Sequence, residues 1–379
     1  MHCKYDLVLN WHIKNMLTQN VLSFCLFFPP IVWSKLVADK MLGCPYPLAS
    51  SLKPCSCLMQ AEYEYSVENK KVLLGSFAKT VGCYWNEEFD FVKIAEAFDY
   101  DNHIAMLKLD GDLDRKYFLT KEDIGRLNVS GLQIETKFSK DQQLFEPGAL
   151  AGSKGSLNTL EVKFTNTYKV QEREGDIALD YLKEICPDLM TLVVYGVSLL
   201  NTEDFEDCSQ LTHLTLEQSN LAIIGPDFFK HLPGIEFFRY SSRSNFWIQT
   251  GAFRNLPNLT TVEMYQVKHY FDSEVYSLLD ETSEHYNKTV ISRGAFDSLP
   301  SLTTLKFAYC ETLYKHCRRK PITIDLFEEE AFLGLENLRE FIVLKGNQAR
   351  LPRLFDNAPL LNIFKFQPGL KGAVSQKFD

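Results

Sequence analysis

The sequence predicts an α/β solenoid, in which about ten irregular repeats form a curved parallel sheet behind a disulfide-bonded N-terminal cap. The main observation is a spacing of apolar residues shared by four segments, 227–243, 251–267, 294–310 and 330–346. Each segment has a phenylalanine, then leucine or isoleucine three and six residues later, and then two apolar residues separated by one position. The other two observations are a cysteine-rich segment before the first repeat and an apolar run near the N-terminus.

The last apolar pair of each repeat alternates at period two, as a strand buried on one face requires. A single unit cannot bury its apolar edge, so neighbouring units must stack and share a core. A unit with this pattern is a leucine-rich repeat, and two further copies lie at 204–220 and 354–367, with Cys208 and Ala358 in leucine positions. We predict one strand beside each of these apolar residues: Ile104, Ile124, Leu157, Leu189, Leu211, Ile235, Leu259, Leu302, Leu338 and Leu361.

The repeats occupy residues 102–370, and residues 371–379 are interpreted as a tail. Standard repeats of this type have about 20–29 residues, and several steps in this chain are longer. The two largest insertions are 267–289 and 309–327. Because insertions in a solenoid map to loops on one face, we expect functional surface there.

Residues 1–43 are interpreted as a signal peptide and leader, although no clear cleavage site stands out. The apolar run at 21–33 contains Pro29 and Pro30 and is short for a membrane span, but it has the length of the apolar part of a secretion signal. The alternatives are a membrane anchor and a buried strand.

Residues 44–101 are interpreted as the N-terminal cap. A solenoid must cover the apolar end of its first repeat, and small disulfide-bonded caps do this outside cells. Asn86, two glutamates and apolar residues at helical spacing predict a helix within 86–101. Four cysteines allow three connectivities, and a zinc site is the alternative use of the same residues: Cys44, Cys55, Cys57 and Cys83.

Two further cysteine pairs are predicted to form disulfides. By strand markers we mean the ten apolar residues beside which we predict strands. Cys186 and Cys208 lie three residues before the markers Leu189 and Leu211 of consecutive repeats, so they should be one strand spacing apart. Two buried thiols are the alternative. Cys310 and Cys317 bracket the second large insertion and should close it as a loop.

Three Asn-x-Ser/Thr sequons are candidate glycosylation sites if the chain is secreted. Asn287 lies in the first large insertion and Asn258 on the turn that enters a strand. Asn128 is predicted to fall within a strand, on its solvent side.

Composition and motifs argue against two classes of function. The formal net charge of −9 is the opposite of what a nucleic-acid-binding domain needs. We find no phosphate-binding glycine loop and no nucleophile or metalloprotease motif. An aspartate-rich stretch at 110–114 fails as an EF-hand, because Arg115 replaces the required glycine and Lys121 the required glutamate. The sequence therefore predicts no catalytic, cofactor-binding or metal-binding residue.

The concave face of the sheet is the remaining candidate for function. Residues that alternate with the buried strand positions face solvent there. We predict that a protein partner contacts six of them, several of which belong to types enriched at binding hot spots: Tyr195, Phe237, Arg239, Glu263, Tyr265 and Lys306. The alternative is ordinary protein surface.

The cysteine cap, the helix that follows it and the irregular Gly-Ala-Phe repeats at 251–253 and 294–296 resemble secreted arthropod leucine-rich repeat proteins. That family includes the non-catalytic subunit of Oplophorus luciferin 2-monooxygenase. The resemblance implies disulfides Cys44–Cys57 and Cys55–Cys83, and a secreted protein that accompanies a partner without doing chemistry. Many extracellular relatives also have a C-terminal disulfide cap, but this chain has no cysteine after Cys317, so packing around Phe364 and Phe366 should cap it.

The sequence thus favours a secreted, non-enzymatic protein that binds a protein partner, with no cofactor, no nucleic acid and no stable membrane insertion. A membrane-tethered receptor or adhesion ectodomain is the first alternative. An enzyme or an enzyme inhibitor is the second.

Overall fold

The computed structural model describes most of the repeat region and parts of both ends. The described residues are 55–65, 71–85, 104–111, 117–124, 129–136, 143–151, 157–164, 181–195, 202–219, 221–242, 245–266, 288–307, 326–328, 330–346, 358–368 and 374–377. The predicted signal region, the predicted helix at 86–101 and nearly all of both large insertions lie outside these ranges.

Nineteen strands and two short α-helices are present in the described ranges. The strands are β1 (Cys55–Tyr65), β2 (Lys71–Trp85), β3 (Met106–Gly111), β4 (Tyr117–Leu119), β5 (Gly131–Thr136), β6 (Gln143–Phe145), β7 (Thr159–Phe164), β8 (Thr191–Tyr195), β9 (His213–Ser219), β10 (Ile223–Ile224), β11 (Phe237–Ser242), β12 (Trp247–Ile248), β13 (Thr261–Gln266), β14 (Val290–Ile291), β15 (Thr304–Phe307), β16 (Leu326–Phe327), β17 (Glu340–Gly346), β18 (Ile363–Pro368) and β19 (Val374–Lys377). The helices are α1 (Lys121–Ile124) and α2 (Leu182–Ile185), and 3-10 turns occur at Cys186–Asp188 and Thr202–Phe205.

Thirteen strands form one large sheet in the order β1-β2-β3-β5-β7-β8-β9-β11-β13-β15-β17-β18-β19. All neighbours from β2 to β18 are parallel, so each repeat adds one strand to the sheet. This is the predicted fold class, a leucine-rich repeat solenoid with a parallel sheet. A narrow parallel sheet of β10, β12, β14 and β16 accompanies it, and β4 pairs with β6.

Both ends of the large sheet are closed by antiparallel strands that the repeat pattern does not predict. At the N-terminal end β1 and β2 form a hairpin, and β2 then pairs in parallel with β3. At the C-terminal end β19 pairs antiparallel with β18, within the segment that we interpreted as a tail. The side chains of Phe364 and Phe366 are not among the described ones, so packing around them remains a prediction.

One predicted strand position is wrong. Ile124 is the last residue of α1, whereas Val129 is the buried residue that precedes β5 and forms a parallel bridge with Ile104. The sequence permits both choices, because Ile124-Leu127-Val129 and Val129-Leu132-Ile134 have the same spacing. In the structure the strand begins at Gly131, which lies so close to the preceding repeat that a Cβ there would be 2.8 Å from the Ala105 carbonyl oxygen. The other nine markers each precede an observed strand by two residues.

Repeats are joined by a backbone ladder just before each strand. The Met190 carbonyl accepts hydrogen bonds from the N–H groups of Thr212 and His213, and the Thr212 carbonyl accepts from the next repeat in the same way. The pattern recurs at Glu236, Thr260, Thr303 and Arg339. Because one carbonyl receives two donors, neighbouring repeats are held in a fixed register.

The repeated phenylalanines form a continuous stack in the core. The ring centroids of Phe229 and Phe253 are 5.0 Å apart, those of Phe253 and Phe296 are 4.9 Å apart, and those of Phe296 and Phe332 are 6.1 Å apart. Phe327 of the narrow sheet packs against Phe307 of the large sheet at 6.1 Å. The shared core therefore lies between the two sheets.

The glycine of the Gly-Ala-Phe motif is explained by its backbone. Gly251 and Gly294 have φ angles of 71° and 61°, in the left-handed region that glycine adopts without steric cost. Glu330 has the same place in its repeat and a φ of 63°. The motif is thus a turn requirement of the repeat.

Glutamates from one repeat accept hydrogen bonds from backbone N–H groups in the turns of the preceding repeat. The Lys121 N–H donates to Glu146 at 2.9 Å, the Leu150 N–H to Glu184 at 3.1 Å, and the Arg293 N–H to Glu328 at 2.9 Å. Turn donors without a backbone partner need such acceptors. Some of the glutamates therefore stabilise the turns of the repeats.

Two disulfides are present in the described residues. Cys186 and Cys208, both fully buried, join the segments before β8 and β9 with a Cα–Cα distance of 4.3 Å. Cys55 and Cys83 are register partners in the N-terminal hairpin and are also bonded. Cys44, Cys310 and Cys317 lie outside the described residues, and the side chain of Cys57 is not described.

Candidate protein-binding surface

Parallel register places equivalent residues of successive repeats side by side on the concave face. One row contains Thr191, His213, Phe237, Thr261, Thr304 and Glu340, and the next contains Val193, Thr215, Arg239, Glu263, Lys306 and Ile342. A third row, towards the ends of the strands, includes neighbours Tyr195 and Glu217, and neighbours Ser241 and Tyr265. Residues at equivalent positions of successive repeats are therefore neighbours across the strands.

A chain of alternating charges crosses five of these strands, and we call it the ionic ladder: Glu217, Arg239, Glu263, Lys306 and Glu340. Arg239 donates to Glu263 Oε2 from Nε at 2.9 Å and from Nη2 at 2.6 Å. The Lys306 ammonium lies 3.1 Å from Glu340 and 3.7 Å from Glu263. At the other end the Ser241 hydroxyl donates to Glu217 at 2.5 Å.

Glu263 is the centre of the ladder. Burial by itself raises the pKa of this carboxyl, but the hydrogen bond that it accepts from the Tyr265 hydroxyl at 2.6 Å and the charges of Arg239 and Lys306 outweigh burial. The pKa of Glu263 is therefore lowered, and the carboxylate is held in its charged form. Burial and the adjacent carboxylate raise the pKa of Tyr265, so its hydroxyl stays a donor.

Arg239 also organises the aromatic side chains beside the ladder. Its guanidinium carbon lies 5.2 Å from the centre of the Phe237 ring and 5.9 Å from that of Tyr265. Burial opposes its charge, but Glu263, Tyr265 and Glu217 together raise the pKa of Arg239. Phe237 is also stacked on His213, with centroids 5.7 Å apart and planes at 22°. The half-buried Phe237 ring is therefore held by contacts with two neighbouring side chains.

Strands β8, β9 and β11 carry a strip without acidic, lysine or arginine side chains, which we call the central stripe: Val193, Tyr195, His213, Thr215 and Phe237. Val193 and Phe237 are half-buried and His213 is exposed. Met190, which directly precedes β8, is 48% exposed, a high value for a large apolar side chain in mid-solenoid. An apolar centre between polar flanks is the usual layout of a protein-binding surface.

A second set of charges lies on the other side of the central stripe, and we call it the N-terminal charge cluster: Lys108, Asp110, Glu135, Glu161 and Lys163. Lys163 is 2.7 Å from Glu135. Burial raises the pKa of Glu161, and the nearby Lys108 and Lys163 and a hydrogen bond with Gln133 offset this only in part.

The structure groups five of the six predicted partner-binding residues and separates the sixth. Phe237, Arg239, Glu263, Tyr265 and Lys306 form one network, whereas Tyr195 lies on β8 within the central stripe. Tyr195 and Tyr265 are only 7% exposed and Glu263 only 9%, so the expectation that these three face solvent freely is wrong. Strand alternation reveals which face a side chain is on, but not how far its neighbours cover it. His213, Glu217 and Glu340 were not among the six, although they have the same concave positions in their repeats.

The predicted modification sites are described only in part. Asn258 is exposed on the turn before β13, and the hydroxyl of Thr260 in its sequon donates to the Glu236 carbonyl. Asn128 and Asn287 lie outside the described residues, and β5 begins three residues after Asn128. Glycosylation therefore stays a prediction.

The described residues contain no metal-binding cluster and no helix that could span a membrane. Among the described residues no group of three or more His, Cys, Asp or Glu side chains could hold a metal ion. None of the helices in these ranges is long and apolar enough to span a membrane.

A match to a known family model supports the repeat assignment. Residues 198–322 match the family model for the BspA type leucine-rich repeat region, in six copies. No curated protein matches the sequence significantly. The solved structure of the Toll–Spatzle complex from Drosophila aligns at 12% identity over 73% of this chain and 51% of the other, with a TM-score of 0.25. This chain thus spans about half the length of that one. The chain is a leucine-rich repeat solenoid, and its residues 198–322 are similar to BspA type repeats.

Proposed function

We propose that this is a secreted, non-enzymatic protein that binds a protein partner on its concave face, at the central stripe. The observation that carries the proposal is the half-buried Phe237 ring, which is stacked on His213 and contacted by Arg239. Met190, exposed just before β8, adds apolar surface. Aromatic anchors that are already immobilised lose little entropy on binding. The charged groups on either side would form the polar rim of such an interface.

The resemblance to secreted arthropod leucine-rich repeat proteins supports a more specific role. By that resemblance the protein is the non-catalytic accessory subunit of an extracellular complex and stabilises its partner. No residue of this chain points to a luciferin or to a particular catalytic subunit. The proposal is therefore limited to an accessory role.

The binding experiment uses the full chain, immobilised, to capture partners from the native extracellular fluid. Phe237→Ala should weaken retention of a genuine partner by at least about tenfold, because truncation of an aromatic anchor costs roughly 2 kcal/mol or more. Ile223→Ala is the matched control, since Ile223 is an apolar residue, 43% exposed, on the narrow sheet. Equal retention of every partner by both variants would refute binding at the central stripe.

A membrane-tethered receptor is the second candidate, and the apolar run at 21–33 favours it. N-terminal sequencing of the native protein separates the two. Secretion predicts a mature chain that starts after this run. An intact N-terminus in a membrane fraction favours the receptor.

A further inference from the structure

Carboxylates lie on both of the strands that flank β8. On β7, Glu161 is the register partner of Val193. On β9, Glu217 is the register partner of Tyr195. Any segment that covers β8 therefore lies between two acidic residues.

The charges around the stripe have an acidic excess. The ionic ladder and the N-terminal charge cluster each contain three carboxylates and two cationic groups. In the ladder, Arg239 and Lys306 are engaged with Glu263 and Glu340. In the cluster, the Lys163 ammonium lies 2.7 Å from Glu135, on the side away from β8.

At Glu161, burial outweighs the attraction of the cations nearby. The residue is half-buried, it has Gln133 as a neutral hydrogen-bond partner, and burial raises its pKa despite the cations nearby. A carboxylate that has lost its hydration, and is only partly compensated by neighbouring groups, is stabilised when a cation approaches it. Glu161 therefore favours a ligand with a positively charged group.

We propose that the partner binds through an extended segment in which an aromatic or large aliphatic side chain packs against Phe237 while a lysine or arginine pairs with Glu161. This inference rests on the proposed function, because it specifies the chemistry of the partner at the same surface. It excludes an acidic segment, which Glu161 would repel.

The spacing within that segment follows from the sheet. Phe237 and Glu161 lie on β11 and β7, which are three strand spacings apart in the sheet order. At roughly 4.8 Å per spacing this is about 14 Å across the sheet. Glu161 is in register with Arg239, so Phe237 is also offset by two residues, about 7 Å, along the strands. The separation is about 16 Å, which an extended chain covers in about five residues, so the basic residue should be about five positions from the apolar anchor.

The probe is a display library of random 12-residue peptides, selected on the full wild-type chain. Selected peptides should contain Lys or Arg about five positions from an aromatic or large aliphatic residue. Their affinity should fall about tenfold on Glu161→Gln, as expected for the loss of a charge-assisted contact. Glu340→Gln, at the far end of the ladder, is the matched control and should change affinity less than twofold. Glu161→Lys should reverse the preference and select acidic peptides.

The stability of the Glu161→Gln variant shows whether the variant is correctly folded. Because the neutral amide avoids the desolvation of a charge, the variant should be at least as stable as the wild-type chain near neutral pH. Weaker peptide binding by a protein that is no less stable cannot be attributed to misfolding.

Three outcomes overturn the inference: enrichment of acidic or neutral peptides, equal affinity for wild type and Glu161→Gln, or no peptide that depends on either Phe237 or Glu161. Peptides that need Phe237 but not Glu161 would overturn this inference and leave the proposed binding surface in place. Loss of the proposed surface itself is detected separately, by capture of natural partners with the Phe237→Ala chain.

Discussion

Replacement of Glu263 by glutamine should destabilise the fold at neutral pH and have much less effect in acid. The substitution keeps the shape of the side chain and removes its charge. In the wild-type protein the carboxylate accepts hydrogen bonds from Tyr265 at 2.6 Å and from Arg239 at 2.6 and 2.9 Å, and it lies 3.7 Å from Lys306. An amide oxygen can accept one or two of these bonds, but it cannot balance two cations.

The expected loss lies between two limits. Disruption of a buried ion pair costs about 3–5 kcal/mol, and an exposed pair is worth about 0–1 kcal/mol. The side chains of Arg239 and Lys306 are each 27% exposed and that of Glu263 is 11% exposed, so the site is closer to the buried case but partly screened by solvent. We expect Glu263→Gln to lower the free energy of unfolding by about 2 kcal/mol at pH 7.

The pH dependence follows from the lowered pKa of Glu263. The folded state binds a proton at this carboxyl more weakly than the unfolded state does. The stabilisation is therefore complete above the unfolded pKa, about 4.3, and is lost as the pH falls through the folded pKa. The difference in unfolding free energy between wild type and Glu263→Gln should shrink between pH 5 and pH 3.

Urea denaturation of both proteins at pH 7, 5 and 3 measures this difference. Glu340→Gln is the control, because Glu340 contacts only the Lys306 end of the ladder, at 3.1 Å, and should cost less than about 1 kcal/mol. A pH-independent gap between wild type and Glu263→Gln would show that the glutamate acts through shape rather than charge. No gap at pH 7 would show that the ladder does not stabilise the fold.

Three other substitutions test the core, the turns and the disulfide by chemical denaturation. Phe296→Ala should cost about 3–5 kcal/mol, because this fully buried ring stacks between two others, and a cost under about 1 kcal/mol would contradict a continuous aromatic stack. Gly294→Ala should cost about 1–2 kcal/mol because of its φ of 61°. Steric clash adds nothing, since the nearest atoms to an added Cβ are 3.9 Å away. An unchanged denaturation midpoint would refute the turn requirement. Replacement of Cys186 and Cys208 by alanine should cost about 3 kcal/mol, given their sequence separation of 22, and a reductant should then have less effect on the variant than on wild type.

The repeats were predictable because stacking imposes one spacing on many segments. Leu259, Leu302 and Leu338 have the same role in three repeats, so each confirms the others and fixes the strand that follows. The disulfide between Cys186 and Cys208 follows from the same rule, since equivalent positions in adjacent repeats are one strand apart. Where two overlapping triplets share the spacing, as at Ile124 and Val129, sequence periodicity cannot choose between them.

Elements outside the repeat rule were not predictable in the same way. The strands of the narrow sheet, such as Ile223–Ile224, have two residues each, and two residues contain no period. The hairpin of β1 and β2 and the closing strand β19 occur once each, so no second copy reveals them. The depth of Tyr195, Tyr265 and Glu263 was also missed, because it depends on contacts between side chains of different repeats.

In-register stacking also explains where binding energy can come from on the concave face. A charge at one position meets the same position of the next repeat, so Arg239, Glu263 and Lys306 satisfy one another across strands. A partner that competed for these groups would have to replace bonds already made, and its net gain would be small. The central stripe and Glu161 are different. Contact with the stripe would remove apolar surface from water, and a cation of the partner would stabilise the incompletely compensated carboxylate of Glu161. Specific recognition should therefore be centred on β8 and its borders, while the ionic ladder keeps the neighbouring strands and Phe237 in place.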